Sequence, residues 1–366
     1  MSAGRIVVVG ATGYTGRLVA AELPAAGMPY VLCGRDAGRL ERVAAEVGGA
    51  QTQVADVQDP RSLQRLVSAG DVVINCAGPF TELGEPVVRA CVEAGAHYLD
   101  TTGEQRFMER IFRRYDGAAR QAGVVVVNAM AFEYALGDCA AAIAAEGLAE
   151  PLRSVDVTYA MQGGSSGASR GTQRSALRIL GERGYAYTAG RLRRERTARK
   201  RRNVRLADGK VRSALSFPLG EVLTVPRHQR VERVRGWMVV GRRTARAATL
   251  LSPVLPPLVR LATPLLDRVL GRVPEGPSHG DRQASSFLVL AEAVGAEGRE
   301  RRVAVQGRDP YLLTAAIAVE GAARVLDAAR GGKAGVLTPA QLLEPHSFLD
   351  GLGARGVEWR EESPPS

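Results

Sequence analysis

Residues 6–16 read IVVVGATGYTG, a β-branched run that ends in three glycines, Gly10, Gly13 and Gly16, spaced three apart. Ile6–Val9 suits a buried parallel strand, because both faces of such a strand are covered. The stretch TGRLVAAEL that follows has helical spacing and is expected to stop at Pro24. A glycine-rich turn between a first strand and a helix is where a dinucleotide pyrophosphate binds. Gly10 suits the tight turn off the strand. Gly13 lacks a Cβ, so backbone can approach the phosphates, and Gly16 allows close helix packing. Amides at the helix start, with the positive end of its dipole, attract the negative charge. Thr12, Tyr14 and Thr15 are placed to add hydroxyl or stacking contacts. The spacing is GxxGxxG rather than the stricter GxGxxG, so its weight comes from its place between strand and helix.

Working outward, strand and helix patterns alternate to about residue 130. YVLCGR, TQVADV, DVVINCAG, HYLD and VVVVNA read as strands, with helical segments between them. Such alternation with short links predicts an α/β fold with a doubly wound parallel, Rossmann-type sheet. At the end of the second strand an acidic residue would bind the ribose hydroxyls of NAD. Here the strand ends CGR, and the Arg35 guanidinium matches the 2′-phosphate of NADP, although Asp36 follows directly. Asp56, ending the third strand, could accept from the adenine amino group. Ala77, Gly78, Pro79 and Phe80, ending the fourth, should line the nicotinamide side. The expected cofactor is NADP(H).

Beyond residue 150 the texture changes. Short apolar and basic pieces between 203 and 241 suit antiparallel strands of a second α+β domain. The expected organisation is a nucleotide domain at 1–150, a substrate or dimerisation domain at 151–305, and a C-terminal helix and tail at 306–366 that return to the first. The apolar stretch 246–273 is broken by Pro253, Pro256, Pro257 and Pro264, which suits a pair of short helices rather than a membrane span. A peripheral membrane contact or a lid over an apolar substrate is compatible with it.

Net charge is +11, and eleven Lys or Arg against two acids in residues 191–212 supply most of the excess. A charge run is ordinarily a solvated face, here an edge hairpin. The sharper alternative is a dock for an acidic carrier protein or a phosphorylated substrate. Nucleic acid fits poorly: aromatic residues are 5% of the chain and none lies in this run. Four scattered cysteines and four scattered histidines suggest buried thiols and no metal site. MSAGR leads straight into the first strand, without the apolar core of a signal peptide, so the chain reads as cytoplasmic.

None of the three lysines, Lys200, Lys210 and Lys333, has a tyrosine four residues before it, which removes the Tyr-x-x-x-Lys plan of short-chain dehydrogenases. GATGYTG, CAGPFTELGEPVVRACVEAGAHYLDTTGE, EGPSHGDR and GRDPYLLTAAIAVEGAARVL followed by GVLTPAQLLEP together resemble the saccharopine dehydrogenase-like oxidoreductases. Within that group the chain is most similar to the trans-acting enoyl reductases. The resemblance implies an NADP-dependent reductase of two domains, a homodimer being compatible. It also implies saturation of C=C bonds in polyketide or lipid intermediates carried as thioesters, a task of secondary metabolism. Where the family reads near Gly-Phe-Asp-Ser-x-Pro-Ser-Asp, this chain has AFEYALGD: Glu133, Tyr134 and Leu136 depart from the pattern while Asp138 is kept. These residues are expected to face the cofactor.

Enoyl reduction needs a hydride at the β-carbon, a donor to the enolate oxygen and a proton for the α-carbon. HYLDTTGE offers Tyr98 as donor and Asp100 as a catalytic or loop-fixing carboxylate, with His97 either packed or catalytic. Ser165, Ser166, Ser169 and Thr172 precede a helix and could cap it or meet a carbonyl. Two other readings stay open: a C–N oxidoreductase gripping substrate carboxylates with arginines, and an NADP-binding protein without catalysis.

Overall fold

The computed structural model describes residues 4–163, 168–206, 208–270, 272 and 274–363. Two compact units emerge: Met1–Phe132 with Tyr311–Leu343, and Glu133–Pro310 with Glu344–Ser366.

In chain order the first unit builds β1 (Ile6–Val9), α1 (Tyr14–Ala26), β2 (Tyr30–Gly34), α2 (Ala37–Glu46), β3 (Gln51–Val54) and α3 (Pro60–Leu66). It continues with β4 (Val72–Asn75), α4 (Phe80–Ala94), β5 (His97–Asp100), α5 (Gln105–Gln121) and β6 (Val125–Val127). The strands lie in the order β3-β2-β1-β4-β5-β6, all parallel. Chain order reverses between β1 and β4, and that switch point is where open α/β sheets bind ligands. All four β1 side chains are buried, worth about 2 kcal/mol each on transfer from water. Local chemistry sets the helix ends. Asp36 caps α2, Asp59 caps α3 with Pro60 in its first turn, and Gly27 and Gly95 close α1 and α4 at φ of 65° and 73°. Helix α1 runs past Pro24 to Ala26, because in the last turn a proline forfeits a single hydrogen bond and Gly27 supplies the stop.

The second unit follows: α6 (Phe132–Ala145), whose first residue still belongs to unit one, β7 (Ser154–Gln162), α7 (Arg170–Gly181), β8 (Arg183–Thr188), β9 (Arg191–Arg196), β10 (Arg201–Arg205), β11 (Val211–Phe217) and α8 (Glu221–His228). Then come β12 (Arg233–Val240), α9 (Arg242–Leu251), α10 (Leu255–Leu270), α11 (His279–Ala284), β13 (Ser286–Val294) and β14 (Glu300–Arg308). Helix α12 (Pro310–Arg330) and β15 (Gly335–Leu337) return to unit one, where β15 pairs in parallel with β6 as the seventh strand. After α13 (Pro339–Leu342) and α14 (Pro345–Gly351), β16 (Glu358–Glu362) joins the second sheet.

That second sheet runs β10-β11-β12-β7-β13-β14-β16, with β8 bound to β12 and β9. Among the described strands every pairing is antiparallel except β12 with β7. One face gathers Ala160, Leu206, Ala214, Trp237, Leu290 and Ala304 into a core. The division differs from the expected one: unit two begins at Glu133, not 151, and the tail from Glu344 belongs to unit two because β16 pairs with β14. The apolar stretch does form two helices, α9 and α10, as its prolines suggest. Among the described residues no helix is long and apolar enough to cross a membrane.

Candidate functional site

The glycine turn sits at the C-terminal end of β1. Gly10 has φ +79°, and a Cβ there would come within 2.9 Å of the Ala77 amide nitrogen, so this turn packs directly on the loop after β4. A Cβ on Gly16 would lie 2.1 Å from the Gly10 carbonyl oxygen. Gly16 thus lets the first turn of α1 fold onto the glycine loop itself. Gly13 stands at the N-cap with extended backbone and no capping side chain, its missing Cβ meeting only the Gly10 carbonyl at 3.3 Å. The positive end of α1 is therefore presented without a side chain to fill it. By contrast, the start of α4 is filled. Glu104, 3% exposed, accepts from the Phe80 and Thr81 amides at 3.0 and 2.8 Å and from the Thr81 hydroxyl at 2.5 Å. An incoming pyrophosphate finds a carboxylate at α4, whereas the Gly13 N-cap of α1 makes no side-chain capping bond. Tyr14 meets Tyr311 of the returning α12 edge to face, centroids 5.1 Å apart.

Arg35 follows β2 and is exposed, so its guanidinium is available to a ligand. Asp36 is committed elsewhere: its Oδ1 accepts from the Arg39 amide at 2.9 Å. The carboxylate next to Arg35 thus serves as the cap of α2. Arg39 had escaped the sequence reading. Its guanidinium donates to the Thr12 carbonyl at 3.4 Å, bringing a second positive charge to the glycine turn. Its only sequence clue is its place one helical turn beyond Arg35. Gly34 gives Thr12 room, since a Cβ there would lie 3.2 Å from the Thr12 methyl. Asp56 is half-buried and closes its own turn, accepting from Gln58 N at 3.0 Å.

Across the switch point, Asn75 ties the β4 loop together, accepting from Ala77 N at 3.0 Å and donating to the Tyr98 hydroxyl at 3.1 Å. Ala77 and Gly78 form the bend, Pro79 is the N-cap of α4, and Phe80 is buried against Phe107. Tyr98 and Asp100 are both fully buried. Asp100 accepts from the Thr102 and Ala129 amides at 3.0 and 2.9 Å and from Asn128 Nδ2 at 2.6 Å. Burial lifts its carboxyl to about 6 even so. These two side chains brace the loops after β4, β5 and β6, and no face of either is open to a ligand. His97 is packed as well, accepting from Val125 N at 3.1 Å, and burial lowers its pKa.

In unit two, Tyr134 and Leu136, two of the three departures from the family pattern, are interior, while Glu133 is half-buried. Tyr134, Leu136 and Asp138 are buried, and Asp138 lies 2.9 Å from His228 Nε2. Glu133 is lifted by burial to about 7. Sequence reasoning also missed Glu221 and Tyr159, whose side chains meet in a hydrogen bond with Glu221 fully buried. Ser169 caps α7 through the Thr172 amide at 3.2 Å. Ser165 and Ser166 lie outside the described residues. The basic run divides in two. Arg202 turns inward to Glu292 and stacks 5.1 Å over Trp237, while Arg191, Arg193, Lys200, Arg201 and Arg205 stay exposed. Cys33, Cys91 and Cys139 are buried and Cys76 is half-buried, and burial pushes the Cys33 and Cys76 thiols up to about 12.

Strand order 3-2-1-4-5-6, a glycine turn at the switch point and an uncapped α1 define a Rossmann dinucleotide-binding unit joined to a mainly antiparallel α+β unit. Residues 6–127 match the saccharopine dehydrogenase NADP binding domain family, and the chain binds NADP(H). A saccharopine dehydrogenase-like oxidoreductase of Homo sapiens is 29% identical over 200 residues, covering 48% of this chain and 46% of that protein. A candidate trans-acting enoyl reductase of Mycobacterium tuberculosis is 35% identical over 186 residues, covering 48% of this chain and 44% of its own length. The chain thus spans about half the length of these curated relatives. Among solved structures, apo saccharopine dehydrogenase (L-Glu forming) from Saccharomyces cerevisiae shares the fold, with TM-score 0.64 and 12% identity over 98% of this chain and all of that one.

Proposed function

We propose that this chain is an NADPH-dependent oxidoreductase that reduces the C=C bond of an enoyl thioester or related polyketide or lipid-type intermediate. The single observation that carries the reading is the amino end of α1 over the Gly10–Gly16 turn, whose Gly13 N-cap makes no side-chain capping bond, flanked by Arg35 and Arg39. The enoyl substrate class draws its support from the 35% identity to the mycobacterial relative.

When bound, NADPH supplies the hydride. The protein's own contribution begins with holding it. Amides of the glycine turn and the α1 dipole take the pyrophosphate, and Arg35 takes the 2′-phosphate. Tyr98 and Asp100 are positioning residues: through Asn75, Thr102, Asn128 and Ala129 they fix the loops at the carboxyl ends of β4, β5 and β6. The exposed cations of 191–212 would receive an acidic carrier protein or the phosphates of a thioester carrier.

The test is to incubate the protein with NADPH deuterated at the transferable hydrogen and a panel of enoyl thioesters and imines, then read product masses. Deuterium at the β-carbon of an enoyl product is expected. Label appearing on an imine carbon alone would move the assignment to C–N chemistry. Tight NADPH binding without labelled product across chain lengths would overturn the enzyme reading.

A further inference from the structure

Helix α10 packs on α7 by one side, where Gly181 leaves room for Val259 and Arg260 at 3.5 Å from a Cβ position. Among the described residues its other side has no cover. Leu258, Leu261, Leu265 and Val269 recur at helical spacing on one stripe, and Leu261 is 83% exposed. Leu250, at the end of α9, is 80% exposed, and Leu251 and Val254 continue the apolar surface across the turn between the helices. Folded chains rarely leave so many neighbouring leucines in water without a partner.

The charge around this stripe has one sign. Arg242, Arg243, Arg246, Arg260, Arg268 and Arg272 are all exposed, and none forms an ion pair with a described residue. Asp267 is the sole acid between 242 and 272. Helix α9 seats Ala245 in a small cluster with Ala198 and Leu215, which sets the turn bearing Arg199 and Lys200 beside it. More exposed cations therefore adjoin the three arginines of α9. A second copy of the chain would bring these arginines against their own likeness, which disfavours self-association through this face. An apolar stripe bordered by unpaired arginines has the composition of an interfacial helix, whose natural complement is hydrocarbon beneath negative headgroups.

We propose that α9 and α10 form a peripheral docking face for an anionic phospholipid surface. Leu258, Leu261, Leu265 and Val269 enter the boundary of the acyl chains, and Arg242, Arg243 and Arg246 meet the lipid phosphates. This inference stands apart from the reductase reading, since it uses none of the residues assigned to the dinucleotide.

The experiment is cosedimentation of the full chain with vesicles of phosphatidylcholine alone or mixed with phosphatidylglycerol, at low and high salt. NADPH titration and analytical ultracentrifugation of every variant run alongside. Binding is expected on the mixed vesicles, weakened by salt and nearly absent on phosphatidylcholine. Arg242→Gln, Arg243→Gln and Arg246→Gln together should weaken it about 100-fold, from roughly fivefold per cation. Leu261→Asp with Leu265→Asp should abolish it while NADPH affinity is unchanged. Equal binding to both vesicle types, retention by the double aspartate variant, or a dimer dissolved by that variant would each overturn the proposal, the last by showing a second copy on this face.

Discussion

Replacing Glu221 by glutamine should remove much of the dependence of unit-two stability on pH. The Tyr159 oxygen lies 2.5 Å from the Glu133 carbonyl, which can only accept, and also touches Glu221 Oε1. Tyr159 has one proton for these two acceptors, so with Glu221 protonated its carboxyl serves as donor in the second contact. Its other oxygen, Oε2, is buried without a hydrogen-bond partner, which a charged carboxylate would tolerate poorly. Burial first, then the charges of Asp138 and Glu133, lift Glu221 from the ordinary 4.5 to about 8. Between those values the native state holds a proton that the unfolded chain has released. Glu221's contribution to stability is therefore full below pH 4.5 and is lost at ~1.4 kcal/mol per pH unit until about pH 8, on top of the loss from Glu133. The whole window amounts to about 5 kcal/mol, a large part of a domain's usual stability. The Glu221→Gln side chain keeps a donor toward Tyr159 and does not titrate. Glu133, lifted to about 7, still titrates in the variant, so its curve should decline to pH 7 and then level while wild type keeps falling. Trp237 and Trp359 both lie in unit two, so urea unfolding followed by tryptophan fluorescence at several pH values reads the right unit. Parallel curves for the two proteins from pH 5 to pH 8 would refute the proton assignment.

Gly16→Ala should cost NADPH at least tenfold in affinity, because the added methyl would sit 2.1 Å from the Gly10 carbonyl oxygen and force the turn apart; isothermal calorimetry measures this. Arg35→Ala should lower the preference for NADPH over NADH by tenfold or more, while Asp36→Ala, which removes a helix cap, should cost about 1 kcal/mol of stability and leave the preference in place. Asp100→Ala strips two amides and the Asn128 side chain of their acceptor inside the protein, and should cost roughly 3 kcal/mol or more in denaturant unfolding.

The first unit was legible because its determinants are local. Most of its strands are short apolar runs, α1, α2 and α3 start at Gly13, Asp36 and Asp59, and the alternation with short links points to a doubly wound parallel sheet, within which the order is 3-2-1-4-5-6. The second sheet was legible only in kind. No local pattern shows that β12 and β7 run parallel, or that β16 crosses from the tail to lie beside β14. Those pairings depend on residues far apart in the chain, and the misplaced boundary at 150 has the same origin. The site divides likewise. Glycines announce themselves because the backbone itself needs them, whereas Glu221 in GEVLTVP looks like any surface glutamate until α8 turns it onto Tyr159. Tyr98 and Asp100 mislead in the opposite sense. Their chemistry suits catalysis, but strand alternation near the end of β5 buries both and binds them to neighbouring loops. A reactive residue type at the carboxyl end of a parallel strand is thus only half an argument. The other half is whether its hydrogen bonds are already spent, and here those of Asp100 are spent on keeping the β5 and β6 loops in place for the cofactor.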